Sequence, residues 1–154
     1  HLLHVLEASP VSQQSHQTRL TDWLRKANSL LKRRSSVFVV SDFMGAFNWA
    51  TELSALGQRH ETIAVRLFDP AEINLPNAGL VLLQDSETSE QLLLDTANPT
   101  FRTRYAQTVE KREQQLAETF AHAGVDALEL STDEDLASAL IRFSELRKRR
   151  VWHA

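Results

Sequence analysis

The chain has 154 residues, enough for one domain with a buried core, and its formal net charge of -3 argues against a polyanion binder. It contains no cysteine, which excludes a disulfide framework, thiolate catalysis and cysteine-ligated zinc. Its apolar runs are too short to span a membrane, so this segment is expected to touch neither membrane nor nucleic acid, and a cysteine-free composition fits a reducing, cytoplasmic compartment.

The chain opens on His1 and not on methionine, which reads as an excised or processed piece. Residues 2–7 carry Leu2, Leu3 and Leu6 at helical spacing, and 8–17 are loop-like, with proline, serines and glutamines. Leu20, Trp23, Leu24, Ala27, Leu30 and Leu31 then recur at the period of an amphipathic helix, with Thr18 in a capping position just before it. The run Ser36-Val37-Phe38-Val39-Val40-Ser41-Asp42-Phe43 organises the rest. Its unbroken, mostly β-branched apolar core predicts a strand covered on both faces, as in a parallel sheet flanked by helices.

A second helix is expected from about Phe47 to Gln58, with Phe47, Ala50, Leu53 and Leu56 inward. Thr62 to Phe68 reads as the next strand, ended by Asp69-Pro70. Strand, helix, strand at this spacing is a right-handed crossover, which makes the two strands parallel neighbours. The apolar runs 80–83 and 91–94, separated by a polar segment, predict an inserted β-hairpin over about 73–97. Asn98-Pro99 opens a long helix with Phe101, Tyr105, Val109, Leu116 and Phe120 as its stripe, and Gly124 ends it. Val125 to Leu130 is a third core strand, Ser131-Thr132-Asp133-Glu134 a capping box, and a last helix is expected to bury Leu136, Leu140, Phe143 and Leu146. Arg147-Lys148-Arg149-Arg150 in its final turns complements the helix dipole.

The chemistry-bearing residues are few. No glycine-rich phosphate loop follows a strand, no Gly-x-Ser-x-Gly elbow is present, and the histidines lack His-x-x-x-His spacing. What remains is a set of oxygen side chains around strand ends: Thr18, Ser41, Asp42, Asp69 and Glu72. In an open parallel sheet, ligands collect beyond the carboxyl ends of the strands. Hydroxyls and carboxylates there suit a hard cation such as magnesium, and Asp42, Asp69 and Glu72 would suit a metal-dependent phosphodiesterase or nuclease. An aspartate at Asp42 equally suits a cap on the following turn.

Thr18-Arg19-Leu20, the amphipathic helix after it, and Arg33-Arg34-Ser35-Ser36-Val37-Phe38-Val39-Val40-Ser41-Asp42-Phe43 resemble the domain of unknown function 58 family, bacterial and archaeal proteins with a von Willebrand factor A-like domain. The likeness continues through Asp69-Pro70-Ala71-Glu72, Leu75-Pro76, Ala78-Gly79-Leu80, Asp85-Ser86-Glu87-Thr88, the helix around Tyr105 and Arg112, and Ser131-Thr132-Asp133. The resemblance implies an α/β, doubly wound, mainly parallel sheet. Residues 1–154 would form a single partial domain of that kind, with the N-terminal strands missing and the hairpin inserted. It also implies a metal-ion-dependent adhesion site, with Thr18 and Asp42 as ligands of Mg2+ and Ser41, Asp69 and Glu72 nearby. The Asp-x-Ser-x-Ser loop of such sites occurs nowhere in these residues, so magnesium is expected to bind this chain weakly.

By the same resemblance the protein is a non-enzymatic interaction or adaptor module working with a MoxR-type AAA ATPase. In that sheet the strand bearing Asp42 lies in the middle. With the first strand absent, 37–40 would become an open apolar edge, and self-association through it is expected.

Overall fold

The computed structural model describes residues 20–84 and 91–151. In chain order these form α1 (Leu20–Leu30), β1 (Ser36–Ser41), α2 (Ala50–Arg59), β2 (Glu61–Phe68) and the single turn α3 (Pro70–Ile73). They continue with β3 (Leu80–Gln84), β4 (Gln91–Asp95), α4 (Pro99–Ala123), β5 (Asp126–Ser131) and α5 (Leu136–Val151). Strands β1, β2 and β5 form one parallel sheet in that order, as the crossover spacing requires, with Ser36 opposite Glu61 and Ile63 opposite Asp126. This is a mixed α/β, Rossmann-like arrangement. The hairpin β3–β4 is a separate antiparallel sheet, with Leu82 opposite Leu93. Its base is tied by Thr96, whose hydroxyl donates to the Gly79 carbonyl (2.8 Å) and accepts from the Ala78 amide (2.9 Å).

The main core lies between the sheet and α1, α2 and α4. It joins Leu24, Val39, Phe43, Trp49, Leu53, Leu56, Ala64, Leu116 and Phe120. Phe43, Trp49 and Phe120 meet edge-on or tilted, with ring centroids 5.0–5.8 Å apart. Helix α2 can press against the start of β5 because position 57 has no side chain. A Cβ on Gly57 would stand 2.8 Å from Val125 Cγ1 and 2.9 Å from the Ala123 carbonyl. Asn98 caps α4 by accepting from the Thr100 and Phe101 amides, and Gly124 closes it in the left-handed region at φ 67°. On the opposite sheet face a smaller cluster of Ile63, Val65 and Leu128 is covered by α5 through Phe143.

Several expectations need correction. Strand β1 is covered on one face only: Val39 is buried, whereas Phe38 and Val40 are 62% and 58% exposed. No described element lies beyond β1 in the sheet or packs over its second face. In α1 the inward row is Leu20, Leu24, Ala27 and Leu31; Trp23 and Leu30 fall at the border of that row and are exposed, with Lys26 over the Trp23 ring.

The capping box at Ser131 does not form, because Ser131 is still paired with Phe68 in the sheet. Asp135 caps α5 instead, accepting from the Ser138 amide at 2.8 Å. The inward row of α5 is accordingly Ala139 and Phe143, and Leu136, Leu140 and Leu146 are exposed. Arg147 makes a specific ion pair with Glu61 and with Asp126 (2.8 Å), a more particular role than dipole complementation. The expected helix at 2–7 and Thr18 lie outside the described residues.

Candidate functional site at the carboxyl end of the sheet

The chain leaves β1 through Ser41-Asp42-Phe43-Met44-Gly45, and local hydrogen bonds shape that exit. The Phe43 amide donates to Ser41 Oγ (3.1 Å), the Met44 amide donates to Asp42 Oδ1 (2.9 Å), and the Ser41 hydroxyl lies 3.4 Å from the same oxygen. These are the bonds by which serine and aspartate side chains build turns. Phe43 is held at φ 53°, a left-handed conformation costly for an aromatic residue, and is 1% exposed. Burial of its ring among Trp49 and Phe120 offsets that cost. Asp42, one residue earlier, remains exposed.

Helix α4 fixes the loop from above. Arg112 donates to the Phe43 carbonyl (2.9 Å) and to the Gly45 carbonyl (3.2 Å), and its guanidinium lies over the Phe47 ring at 5.3 Å. On the neighbouring strand, Arg66 stands opposite Ser41 in register and is 5% exposed. It makes a two-pronged pair with Glu113 of α4 (2.5 and 2.6 Å), a bond to Glu129 of β5 (3.2 Å), and a cation–π contact with Phe68 (5.1 Å). Burial pulls the Arg66 pKa down, and the two carboxylates overcome this to leave it raised, so the group stays charged.

The other candidate residues act locally. Asp69 caps α3 by accepting from the Ala71 amide at 2.8 Å. Glu72 is exposed, and its backbone carbonyl accepts from the Tyr105 hydroxyl (2.6 Å), whose pKa is pushed up by burial and then by the Glu72 charge. Ser131 Oγ bonds the Asp133 carboxylate beyond β5, and the Thr132 amide donates to the Phe68 carbonyl. The ends of β1, β2 and β5 thus form a rim of hydroxyls and carboxylates.

Asp42, Asp69 and Glu72 do not converge. Among the described residues no group of three or more histidine, aspartate or glutamate side chains is placed to hold a metal ion. A shallow groove of about 560 Å³ between α2 and α4, lined by Ala50, Thr51, Ser54, Gln58, Thr119 and His122 among others, does not include the rim.

Arg66 and Glu113 were not anticipated as parts of this region. The available signal was an arginine interrupting the apolar strand Thr62–Phe68, a position that demands a buried counter-charge.

Comparison with protein families matches residues 1–115 to "Protein of unknown function DUF58". An uncharacterized protein of Mycobacterium avium is 32% identical over 143 residues, covering 92% of this chain and 81% of that protein. Uncharacterized proteins of Mycobacterium bovis and Mycobacterium tuberculosis are 33% identical over 120 residues, 77% of this chain. The matched part spans only 37% of those two relatives. No solved structure matches. No helix among the described residues is long and apolar enough to cross a membrane.

Proposed function

The chain belongs to the DUF58 family of proteins of unknown function, and on that premise we propose that it is a protein-docking module of von Willebrand factor A-like architecture, working in the cytoplasm with a MoxR-type AAA ATPase. The observation that carries this reading is the exit of β1. Asp42 is an exposed carboxylate on a loop pinned by a buried aromatic and by Arg112, and it stands on an open rim, not in an enclosed cavity. Such a ledge suits an acidic side chain of a partner bound through a shared hard cation.

The donor chemistry fits magnesium only in part. Asp42 and the Ser41 hydroxyl are oxygen ligands, Thr18 would add a second hydroxyl, and water and the partner would fill the remaining positions. The cation would supply positive charge between two carboxylates. Asp69 and Glu72 would border the docking surface, and the whole protein, which in some relatives is much longer, would complete it.

Binding of the purified ATPase to the wild-type chain and to Asp42→Ala, with magnesium and with chelator, tests the reading. The expected result is magnesium-dependent binding to the wild type and at least about tenfold weaker binding by the variant, the loss expected when a charged anchor is removed. Wild-type binding undiminished in chelator, or undiminished binding by Asp42→Ala in magnesium, overturns it.

A further inference from the structure

We infer that the amino end of the sheet, at the pole opposite the carboxyl rim, is a docking surface for a short acidic segment of a protein partner, gripped by Lys32, Arg33, Arg34 and Lys148. This goes beyond the adaptor reading and does not depend on it. The four cations come from two elements. Lys32, Arg33 and Arg34 occupy the loop between α1 and β1, and Lys148 lies in the last turns of α5. The fold brings these together. Arg147 of α5 reaches Glu61 at the start of β2 and Asp126 at the start of β5. Glu61 also accepts from Ser36 Oγ at the start of β1 (3.1 Å) and feels the charge of Arg34.

Helix ends and ion pairs are the usual employment of surface cations, and other residues serve them here. The last carbonyls of α1 take their donors from Arg59, which bonds Asn28 (3.0 Å) and Leu31 (3.2 Å). Glu61 and Asp126 are taken by Arg147. Lys32, Arg33, Arg34 and Lys148 are exposed, and among the described residues none of them makes an ion pair. Like charges gathered at one place repel one another and oppose the compact state. A cluster kept against that repulsion is fitted to an anion.

The loop is also tied at both ends. Arg59 holds the Leu31 carbonyl, Ser35 Oγ donates to the Arg33 carbonyl (2.9 Å), and the Glu61 amide donates to the Ser35 carbonyl (2.9 Å). A loop ordered beforehand loses less entropy on binding. The protein's own Glu61 shows what this end accepts: a carboxylate held by a guanidinium and a hydroxyl. Its charge and that of exposed Glu145 on α5 interrupt the patch, which suits a narrow segment better than a flat anionic membrane. Strand β1 has 6 residues, so the exposed carboxylates of Asp42, Asp69 and Glu72 stand about 20 Å away, more than two Debye lengths of about 8 Å. A short segment is screened from them. A nucleic acid would run on past the patch over a chain of net charge -3.

Fluorescence anisotropy of a labelled octaglutamate peptide with the 154-residue chain tests the inference, with circular dichroism to verify folding. The wild type is expected to bind at low salt and to lose about tenfold in affinity when the ionic strength is raised to several times its starting value. Reversing Lys32, Arg33 and Arg34 together to glutamate is expected to weaken binding by about tenfold or more, and Lys148→Glu, on a different element, by about threefold. Arg104→Glu with Lys111→Glu, exposed cations of α4, changes net charge away from the patch and is expected to leave binding within about twofold, as is Asp42→Ala. Binding that falls equally in the α4 variant overturns the inference, because net charge alone then decides. So does binding indifferent to both the loop variant and Lys148→Glu. Tighter binding of a single-stranded oligonucleotide of the same charge, or of phosphatidylserine vesicles, overturns the acidic-segment assignment.

Discussion

The two faces of the β1-β2-β5 sheet are built from the same strands, one residue out of step, yet they are finished very differently. On the first, Val39 and Ala64 lie under α1, α2 and α4, and the aromatic cluster of Phe43, Trp49 and Phe120 closes the end nearest the carboxyl rim. On the second, a single helix touches Ile63, Val65 and Leu128, and Phe38 and Val40 stand open. Burial on the first face is therefore the main source of stability. Among the described residues the second is only partly covered. Function in this fold is expected on the rim that the first face stiffens.

The comparison breaks first at Trp49. Trp49→Ala empties a site 1% exposed and is expected to cost about 3–5 kcal/mol in urea unfolding. A loss under about 1 kcal/mol, the range of an ordinary surface change, would show that the first face is not the dominant core. Next in size is Arg66→Ala, which leaves Glu113 and Glu129 facing one another without their cation. About 2–3 kcal/mol is expected, short of the full cost of breaking a buried pair because both carboxylates are partly exposed. Arg66→Met, which keeps the packing over Phe68, should lose less.

The smallest effect concerns pH. Arg147 and then Ser36 hold the Glu61 carboxyl below its ordinary value of 4.5. A depressed folded-state pKa contributes stability that is complete above the unfolded value and is lost as pH falls through the folded one. Arg147→Leu is therefore expected to lower stability slightly at neutral pH, to leave it unchanged well below the folded-state value, and so to flatten the acid limb between them. An unaltered acid limb would show that this pair, between exposed groups, carries nothing.

The sheet order was legible because two largely apolar strands joined by a crossover helix leave little choice of topology. The caps at Asn98 and Gly124 were legible because each is a local pattern. The start of α5 was not. Ser131-Thr132-Asp133-Glu134 satisfies the capping pattern, but sheet pairing had already claimed Ser131, and the competing cap Asp135 lay four residues on. The inward face of α5 turned with it. At the rim, Asp42 was legible as a strand-end carboxylate. Its support was not, since the bond from Arg112 to the Phe43 carbonyl joins residues 69 apart in sequence. Nor does a run such as Val37–Val40 say whether one face or two will be covered, since coverage depends on what else packs there.

Phe43 carries one more implication. Its peptide follows Asp42 directly, and its ring meets Trp49 edge-on at 5.1 Å. Whatever grips the carboxylate therefore pulls on a backbone unit coupled to a buried indole. Trp49 is sealed from water and is expected to emit toward the blue, whereas exposed Trp23 is expected to emit toward the red. The core indole is thus placed as an optical gauge of the strand end: a change there is expected to register in the colour and lifetime of its emission.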